Sequence, residues 1–144
     1  MTAKEYLGQA FLLEIRIGSK LEQVEVLRST ATKAASVLTG MPNSARPNHS
    51  RMEDAIVKIV DLENEIAEQV KNLVAIKRDV SQTISKIDDA RLQVILELRY
   101  LCFMDWHEIA SEMNYHHKYL LRLHKQALEK VDTIRYQKCT SVSA

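Results

Sequence analysis

The sequence predicts an all-α fold in which a long antiparallel helical hairpin of the coiled-coil type is followed by a small helix-turn-helix domain. The first observation is that helix-breaking residues are scarce, with 3 glycines and 2 prolines in 144 residues. The second is that Gly40, Pro42 and Pro47 fall in a single stretch, so long segments on both sides of it can be helical. The third is that apolar residues recur in alternating steps of three and four, which is typical of helices that pack side by side.

The hairpin is predicted over residues 1–87, with its loop at about 40–50. After the loop, one apolar series has a residue at every seventh position: Met52, Ile59, Ile66, Leu73, Val80 and Ile87. We place a second series between its members: Ile56, Glu63, Val70, Lys77 and Ile84. The matching series before the loop is Leu7, Ala10, Glu14, Ile17, Leu21, Val24, Arg28, Ala31, Ala35 and Leu38. Two such helices, joined by one loop, are expected to pack antiparallel.

The charged residues of these series predict the register of the hairpin. If the chain folds back at about residue 45, Glu14 lies opposite Lys77 and Arg28 lies opposite Glu63. Each pair joins opposite charges. We therefore predict two ion pairs across the hairpin, which fix its register more than they stabilise it, since exposed pairs contribute about 0 to 1 kcal/mol.

The start of the first helix carries more apolar surface than one partner helix can cover. Four apolar residues lie largely outside the predicted series: Phe11, Leu12, Leu13 and Ile15. Two coverings remain open: the C-terminal domain folds back onto the base of the hairpin, or a second copy of the chain forms a homodimer through the hairpin.

A helix-turn-helix domain is predicted over residues 88–135, with three helices at Ala90 to about Phe103, Trp106 to Met113, and about His116 to Thr133. Asp105 and Glu108 have the spacing of a capping box, and Asn114 tolerates the left-handed conformation that ends a helix. Asp88-Asp89, at the start of the domain, is interpreted as a helix cap. Residues 136–144 are predicted to form a flexible tail.

The net charge of the chain is +1, so nucleic-acid binding would need a local concentration of basic residues. The last helix has one, because no acidic residue occurs between Glu112 and Glu129. That interval contains Lys118, Arg122 and Lys125, which share one helix face, and three histidines, His116, His117 and His124. Alone, this pattern is also typical of a solvated helix face, but its place after a helix-turn-helix favours DNA binding.

Other function classes lack their residue patterns. His107, His116, His117 and His124 do not have metal-ligand spacing, and Cys102 and Cys139 lie far apart. No catalytic set and no glycine-rich phosphate loop is present, so we expect no enzyme activity, metal, cofactor or small-molecule substrate. No apolar run is long enough for a membrane span, and a cytoplasmic location is expected.

Three segments of the chain resemble a known family. Leu98-Arg99-Tyr100, Trp106-His107-Glu108-Ile109-Ala110, and Leu123 with Ala127-Leu128 resemble region four of bacterial sigma factors. The stretch LRYLCFMDWHEIASEMNY is similar to the small sigma-like regulators of Gram-positive phages and prophages. The resemblance implies that double-stranded DNA and bacterial RNA polymerase are partners, and that the chain acts in the cytoplasm of a bacterial host.

The resemblance also implies residue roles. The positions that face DNA fall on His116, His117, Lys118, Leu121, Arg122 and Lys125. The small core falls on Ile109, Ala110, Met113, Leu120, Leu123 and Leu128, completed by Leu98, Leu101 and Trp106. The turn departs from the sigma pattern at Asn114-Tyr115 and at His116-His117, so the base preference of sigma factors does not transfer to this chain.

We therefore predict a sequence-specific DNA-binding transcription regulator, a phage or prophage late-gene activator that works with the host RNA polymerase. Two alternatives remain. One is a packaging or assembly protein, similar to a small terminase subunit, which forms a large DNA-binding ring. The other is a module that docks on polymerase and binds only protein.

Overall fold

The computed structural model describes the backbone of residues 1–38 and 45–143, and the side chains of residues 1–33 and 50–143. The described chain is helical and contains no strand, which confirms the all-α prediction. Its α-helices are α1 (Ala3–Leu7), α2 (Gln9–Leu38), α3 (Ala45–Ser85), α4 (Ala90–Leu96), α5 (Trp106–Met113) and α6 (His117–Val142). A π-helical turn, Glu97–Leu101, follows α4.

The predicted loop at 40–50 is wrong for its second half, because α3 begins at Ala45. Pro47 therefore lies in the first turn of a helix, where a missing N–H leaves no intrahelical hydrogen bond unmade. The predicted helix end at Gly40 lies outside the described residues.

The chain divides into two compact units, which we call the hairpin unit (Leu13–Asn72) and the helix-turn-helix unit (Met1–Leu12 with Leu73–Ala144). In the hairpin unit, the guanidinium of Arg28 lies 2.6 Å from the Glu63 carboxylate, which confirms one predicted ion pair. Lys20 bonds Glu65, also at 2.6 Å. The partner's number falls as the number on α2 rises, so the two helices are antiparallel. The pair of Glu14 with Lys77 stays a prediction.

The interior of the hairpin unit differs from the predicted one. Among the side chains described in this unit, Ile17 and Val24 are buried on α2 and Ala55 is buried on α3. Half-buried residues extend this core seam in steps of three and four: Lys20, Leu27 and Ala31 on α2, and Met52, Ile59, Leu62, Ile66 and Gln69 on α3.

In the hairpin unit, the second predicted series on α3 is therefore wrong by one position, as is Leu21 on α2. Ile84 of that series, in the helix-turn-helix unit, is buried as predicted. Leu21, Ile56 and Val70 were assigned to the interior but are 54%, 48% and 41% exposed. In the sequence, a four-residue step leads to these aliphatic side chains, whereas a three-residue step leads to Lys20 and Gln69. The aliphatic residues were therefore assigned to the seam, but Lys20 and Gln69 occupy it. Lys20 can occupy such a position because its stem packs while its ammonium bonds Glu65. Gln69 differs, because its Oε1 is buried and accepts no hydrogen bond from any residue that the structure describes.

In the helix-turn-helix unit, the N-terminus packs with the C-terminal helices. Thr2 and Glu5 form a capping box at the start of α1, and Tyr6 and Leu7 belong to the core of the unit. The Tyr6 hydroxyl bonds Asp79 Oδ2 at 2.5 Å and Thr83 at 2.9 Å. Contacts thus place Met1–Leu12 with the C-terminal elements, a division that differs from the sequence-based boundary at residue 87.

The first of the two coverings considered for the N-terminal apolar residues is present at Phe11. Its ring centroid lies 5.6 Å from that of Phe103, which follows the π-helical turn. Leu12 remains 72% exposed. The C-terminal elements therefore cover only part of this surface.

The last helix is longer than predicted. It continues to Val142 instead of ending near Thr133, so the prediction of a flexible tail at 136–144 is wrong as far as Val142. Side chains beyond residue 133 hold it in place. Arg135 donates to the Met1 carbonyl at 3.1 Å and covers the Tyr6 ring, and Lys138 reaches Asp79 at 3.3 Å.

Candidate nucleic-acid interface

α5, a short turn and α6 form the predicted helix-turn-helix. Asp105 caps α5: its Oδ1 accepts from the Glu108 backbone N–H at 2.8 Å, and Glu108 accepts in return from the Asp105 N–H. Asn114 ends α5 in the left-handed conformation, with φ 57° and ψ 43°. The Tyr115 N–H then donates to the Ala110 carbonyl at 3.0 Å, which closes the turn. The capping box and the left-handed asparagine are both as predicted.

Loss of this cap should weaken the unit measurably. We expect Asp105→Ala to lower the free energy of unfolding by about 1 kcal/mol, because the first-turn N–H groups lose their acceptor. Asp105→Asn, which keeps a side-chain oxygen in place, should retain most of it. Denaturant titration followed by circular dichroism measures both. Equal losses in the two variants would mean that the charge of Asp105, and not the cap, carries the effect.

All six residues predicted to face DNA lie on the exposed side of α6 or at its first residues. His116, His117, Lys118, Leu121, Arg122 and Lys125 are each exposed. The buried side chains of the same helix follow steps of three and four: Leu120, Leu123, Ala127 and Val131. The helix thus packs one face and leaves the basic one open to solvent. Lys118, Arg122 and Lys125 form no salt bridge with any residue that the structure describes.

His116 has a structural role in addition to its exposure. It is the N-cap of α6, and its Nδ1 accepts from the Lys118 backbone N–H at 3.3 Å. A ring held in this way keeps only Nε2 for an external partner. Of the two histidines predicted to face DNA, His116 therefore also caps α6, whereas His117 lies on the exposed face.

His124, which occurs among the basic residues of α6 in the sequence, does not lie on their exposed face. It is 8% exposed, and its Nε2 lies 2.8 Å from the Tyr100 hydroxyl. The edge of Trp106 packs on it at a centroid distance of 4.4 Å. Burial, followed by the nearby charges of Lys4 and Arg99, lowers the pKa of His124 to about 4. This histidine is a neutral core residue at ordinary pH.

A polar cluster beside the basic face was missed from the sequence. Arg91 bonds the carboxylate of Asp89 through Nε and Nη2, at 3.3 and 2.9 Å, and its Nη1 donates to the Tyr119 hydroxyl at 2.9 Å. Tyr115 packs edge-on against Tyr119, at a centroid distance of 5.2 Å. Because Tyr119 accepts from Arg91, its own proton is left for another acceptor. Tyr115 and Tyr119 lie on either side of Lys118 in the sequence. This arrangement is the signal from which the cluster could have been predicted.

The end of the π-helical turn is strained. Phe103 has φ 58°, a conformation unfavourable for a bulky residue, and the Met104 N–H reaches back to the Leu98 carbonyl at 3.0 Å. The ring of Phe103 contacts Phe11 and the Lys77 ammonium, which lies 4.8 Å from its centroid. The helix predicted from Ala90 to about Phe103 thus ends at Leu101, and its last five residues are π-helical.

Among the side chains of residues 1–33 and 50–143, no group of three or more histidine, cysteine or acidic residues could hold a metal ion. None of the helices described is both long and apolar enough to cross a membrane.

Much of the chain matches a protein family. The family model described as a protein of unknown function (DUF1492) matches residues 44–132, which span α3 to the middle of α6. No curated protein and no solved structure matches the chain. The matched segment is more than half of the chain, so this protein belongs to the DUF1492 family.

Proposed function

We propose that this protein is a sequence-specific, double-stranded DNA-binding transcription regulator that places α6 in the major groove. The observation that carries the proposal is the exposed face of α6 with His117, Lys118, Leu121, Arg122 and Lys125, directly after a capped helix and a left-handed turn. A helix fits the width of the major groove, and the second helix of such a motif is the one that contacts bases.

The side chains on this face suit different contacts. Arg122 can bond both acceptors of a guanine through its planar guanidinium, which makes it the residue that would select sequence. Lys118 and Lys125 suit phosphates, which position the protein without selecting sequence. Leu121 is 40% exposed between these cations and would contact a thymine methyl group.

The biological setting is proposed from the resemblance to sigma region four and to sigma-like regulators of phages and prophages. In this proposal the chain activates late genes together with the RNA polymerase of the bacterial host, in the cytoplasm. The segment that carries the resemblance lies within the part of the chain matched by the family, up to residue 132.

Selection of bound genomic fragments would first supply the target, and two variants would then test the face. We expect Arg122→Ala to weaken binding of the selected target by about 1 to 3 kcal/mol with little effect on unrelated DNA. Lys125→Ala should weaken binding to all sequences and lower the salt dependence by about one counterion, because a phosphate contact carries no sequence information. Affinity measured over a series of salt concentrations separates the two effects.

Arg51→Ala and Lys58→Ala are matched controls, because both residues are exposed on α3 in the hairpin unit. They should leave affinity unchanged. If all four variants bind as the unchanged chain does, α6 is not the DNA-binding face. Failure to select any fragment, together with binding to polymerase, would favour the protein-docking alternative. A large ring in light scattering would favour the packaging alternative.

A further inference from the structure

α3 carries a second apolar surface besides the core seam. Its residues follow the same steps of four and three, and we call them the lateral stripe: Ile56, Val60, Ala67 and Val70, with Glu63 between them. All are exposed, and Ile56, Val60 and Val70 are 48%, 49% and 41% exposed. Residues so spaced share one side of a helix. The stripe is therefore continuous over about four helical turns.

The lateral stripe is not an extension of the core seam around the same partner helix. The seam residues Ala55, Ile59 and Leu62 each precede a stripe residue by one position, so they lie about 100° away around α3. Those residues are buried or half-buried in the hairpin unit. The contacts within the unit thus use one face of α3 and leave the adjacent one open.

The same side of the hairpin unit gains apolar area from α2. Leu21 is 54% exposed and lies one heptad before Arg28, hence on the same face of α2. Arg28 reaches across to Glu63 of the stripe at 2.6 Å, so that face of α2 adjoins the lateral stripe. Because the carboxylate of Glu63 is matched by a cation of its own chain, it requires no cation from a partner.

We propose that the lateral stripe binds the lateral stripe of a second copy of this chain, with the two α3 helices antiparallel. In a register centred on residue 65, Val60 lies opposite Val70 of the second copy, and Ala67 lies opposite Glu63. The small Ala67 leaves room for the longer side chain. The stripe is thus complementary to itself under a twofold axis, as an isologous interface requires.

The charges favour this antiparallel arrangement. A parallel pairing in register would place Glu63 against Glu63, with like charges facing. The antiparallel pairing offsets the two Glu63 residues by about one helical turn. It also leaves each Arg28–Glu63 ion pair within its own chain, so that the carboxylate of Glu63 enters the interface already paired. A helix of another protein would need a complementary apolar surface whose charges are already paired. A second copy of this chain has such a surface.

This inference goes beyond the proposed function and is tested without DNA. Sedimentation equilibrium of the full chain should reveal a concentration-dependent dimer. Val70→Lys should raise its dissociation constant by about tenfold or more, because two ammonium groups enter the apolar interface of each dimer. Val26→Lys is the matched control, since Val26 is 62% exposed on α2 and faces a groove lined by Ser19, Lys58 and Asp61 instead of the stripe. It should dimerise as the unchanged chain does.

Cross-linking tests the direction. Cys102 and Cys139, which are free and exposed, are first replaced by serine. A mixture of the Val60→Cys chain with the Val70→Cys chain should form disulfide dimers faster than either chain alone. Preferential linking of the Val70→Cys chain with itself would overturn the antiparallel register. A chain that stays monomeric at every concentration, or a Val70→Lys variant that dimerises normally while its circular dichroism is unchanged, would overturn the interface.

Discussion

Leu120→Ala is expected to lower the free energy of unfolding of the helix-turn-helix unit by about 2 to 5 kcal/mol. Leu120 is 0% exposed and lies in the first turns of α6, within the core that also contains Ile109 and Leu123. Removing its methyl groups leaves a cavity that rigid helices on several sides cannot fill. Denaturant titration followed by circular dichroism or tryptophan fluorescence measures the loss, with Trp106 as the fluorophore.

The neighbouring leucine provides a matched control. Leu121 is 40% exposed, so Leu121→Ala should cost less than about 1 kcal/mol while weakening DNA binding if the proposed interface is correct. The two variants carry the same substitution at adjacent positions. Comparing them therefore distinguishes an effect on stability from an effect on DNA binding. Comparable destabilisation by both variants would contradict the assignment of buried and exposed faces on α6.

Acidification from about pH 7 to about pH 5 is expected to remove about 2 kcal/mol of stability through His124 alone. The pKa of this histidine falls from an ordinary value of 6.5 to about 4 in the folded chain, chiefly because burial disfavours the imidazolium. Between those values the unfolded chain binds a proton that the folded chain does not. The stabilisation is therefore complete above about pH 6.5 and is lost as the pH falls toward 4.

Two variants isolate the contribution of His124. His124→Gln removes the titrating group, so its free energy of unfolding should change much less over the same pH range, whatever its starting stability. His107→Gln, at an exposed position, should keep the full pH dependence. Asp79 acts in a different range, since the hydrogen bond from Tyr6 holds its pKa below the ordinary 3.8. An unchanged pH dependence in His124→Gln would show that other groups cause the acid sensitivity.

Local signals in the sequence predicted much of the helix-turn-helix. Asp105 with Glu108, Asn114 and Asp89 each act through backbone groups within a few residues, so their roles follow from spacing. The exposed positions on α6 followed from helical periodicity in the same way. The Arg28–Glu63 pair was also predicted, because a hairpin with one loop has few possible registers.

Features that depend on several distant contacts were not predicted. The extension of α6 to Val142 depends on Arg135 and Lys138 reaching Met1 and Asp79, which no local pattern reveals. The burial of His124 depends on Tyr100 and Trp106, which its place among cations concealed. The choice between two apolar faces of α3 depended on which of them the partner helix covers, and periodicity alone does not decide that.

The helix-turn-helix unit combines two segments that are far apart in the sequence, Met1–Leu12 and Leu73–Ala144. This affects the order in which the chain folds during synthesis. Leu7, at the start of the chain, is buried in the same core as Leu120 and Val131. At about 5 to 20 residues per second, the ribosome delivers α6 on the order of ten seconds after α1. During that interval Tyr6 and Leu7 have no completed core in which to pack. The hairpin unit, which lies between α1 and α6 in the sequence, can already form. A fusion tag placed before Thr2 would alter the segment that packs last, and we expect it to slow folding of the helix-turn-helix unit and not of the hairpin unit.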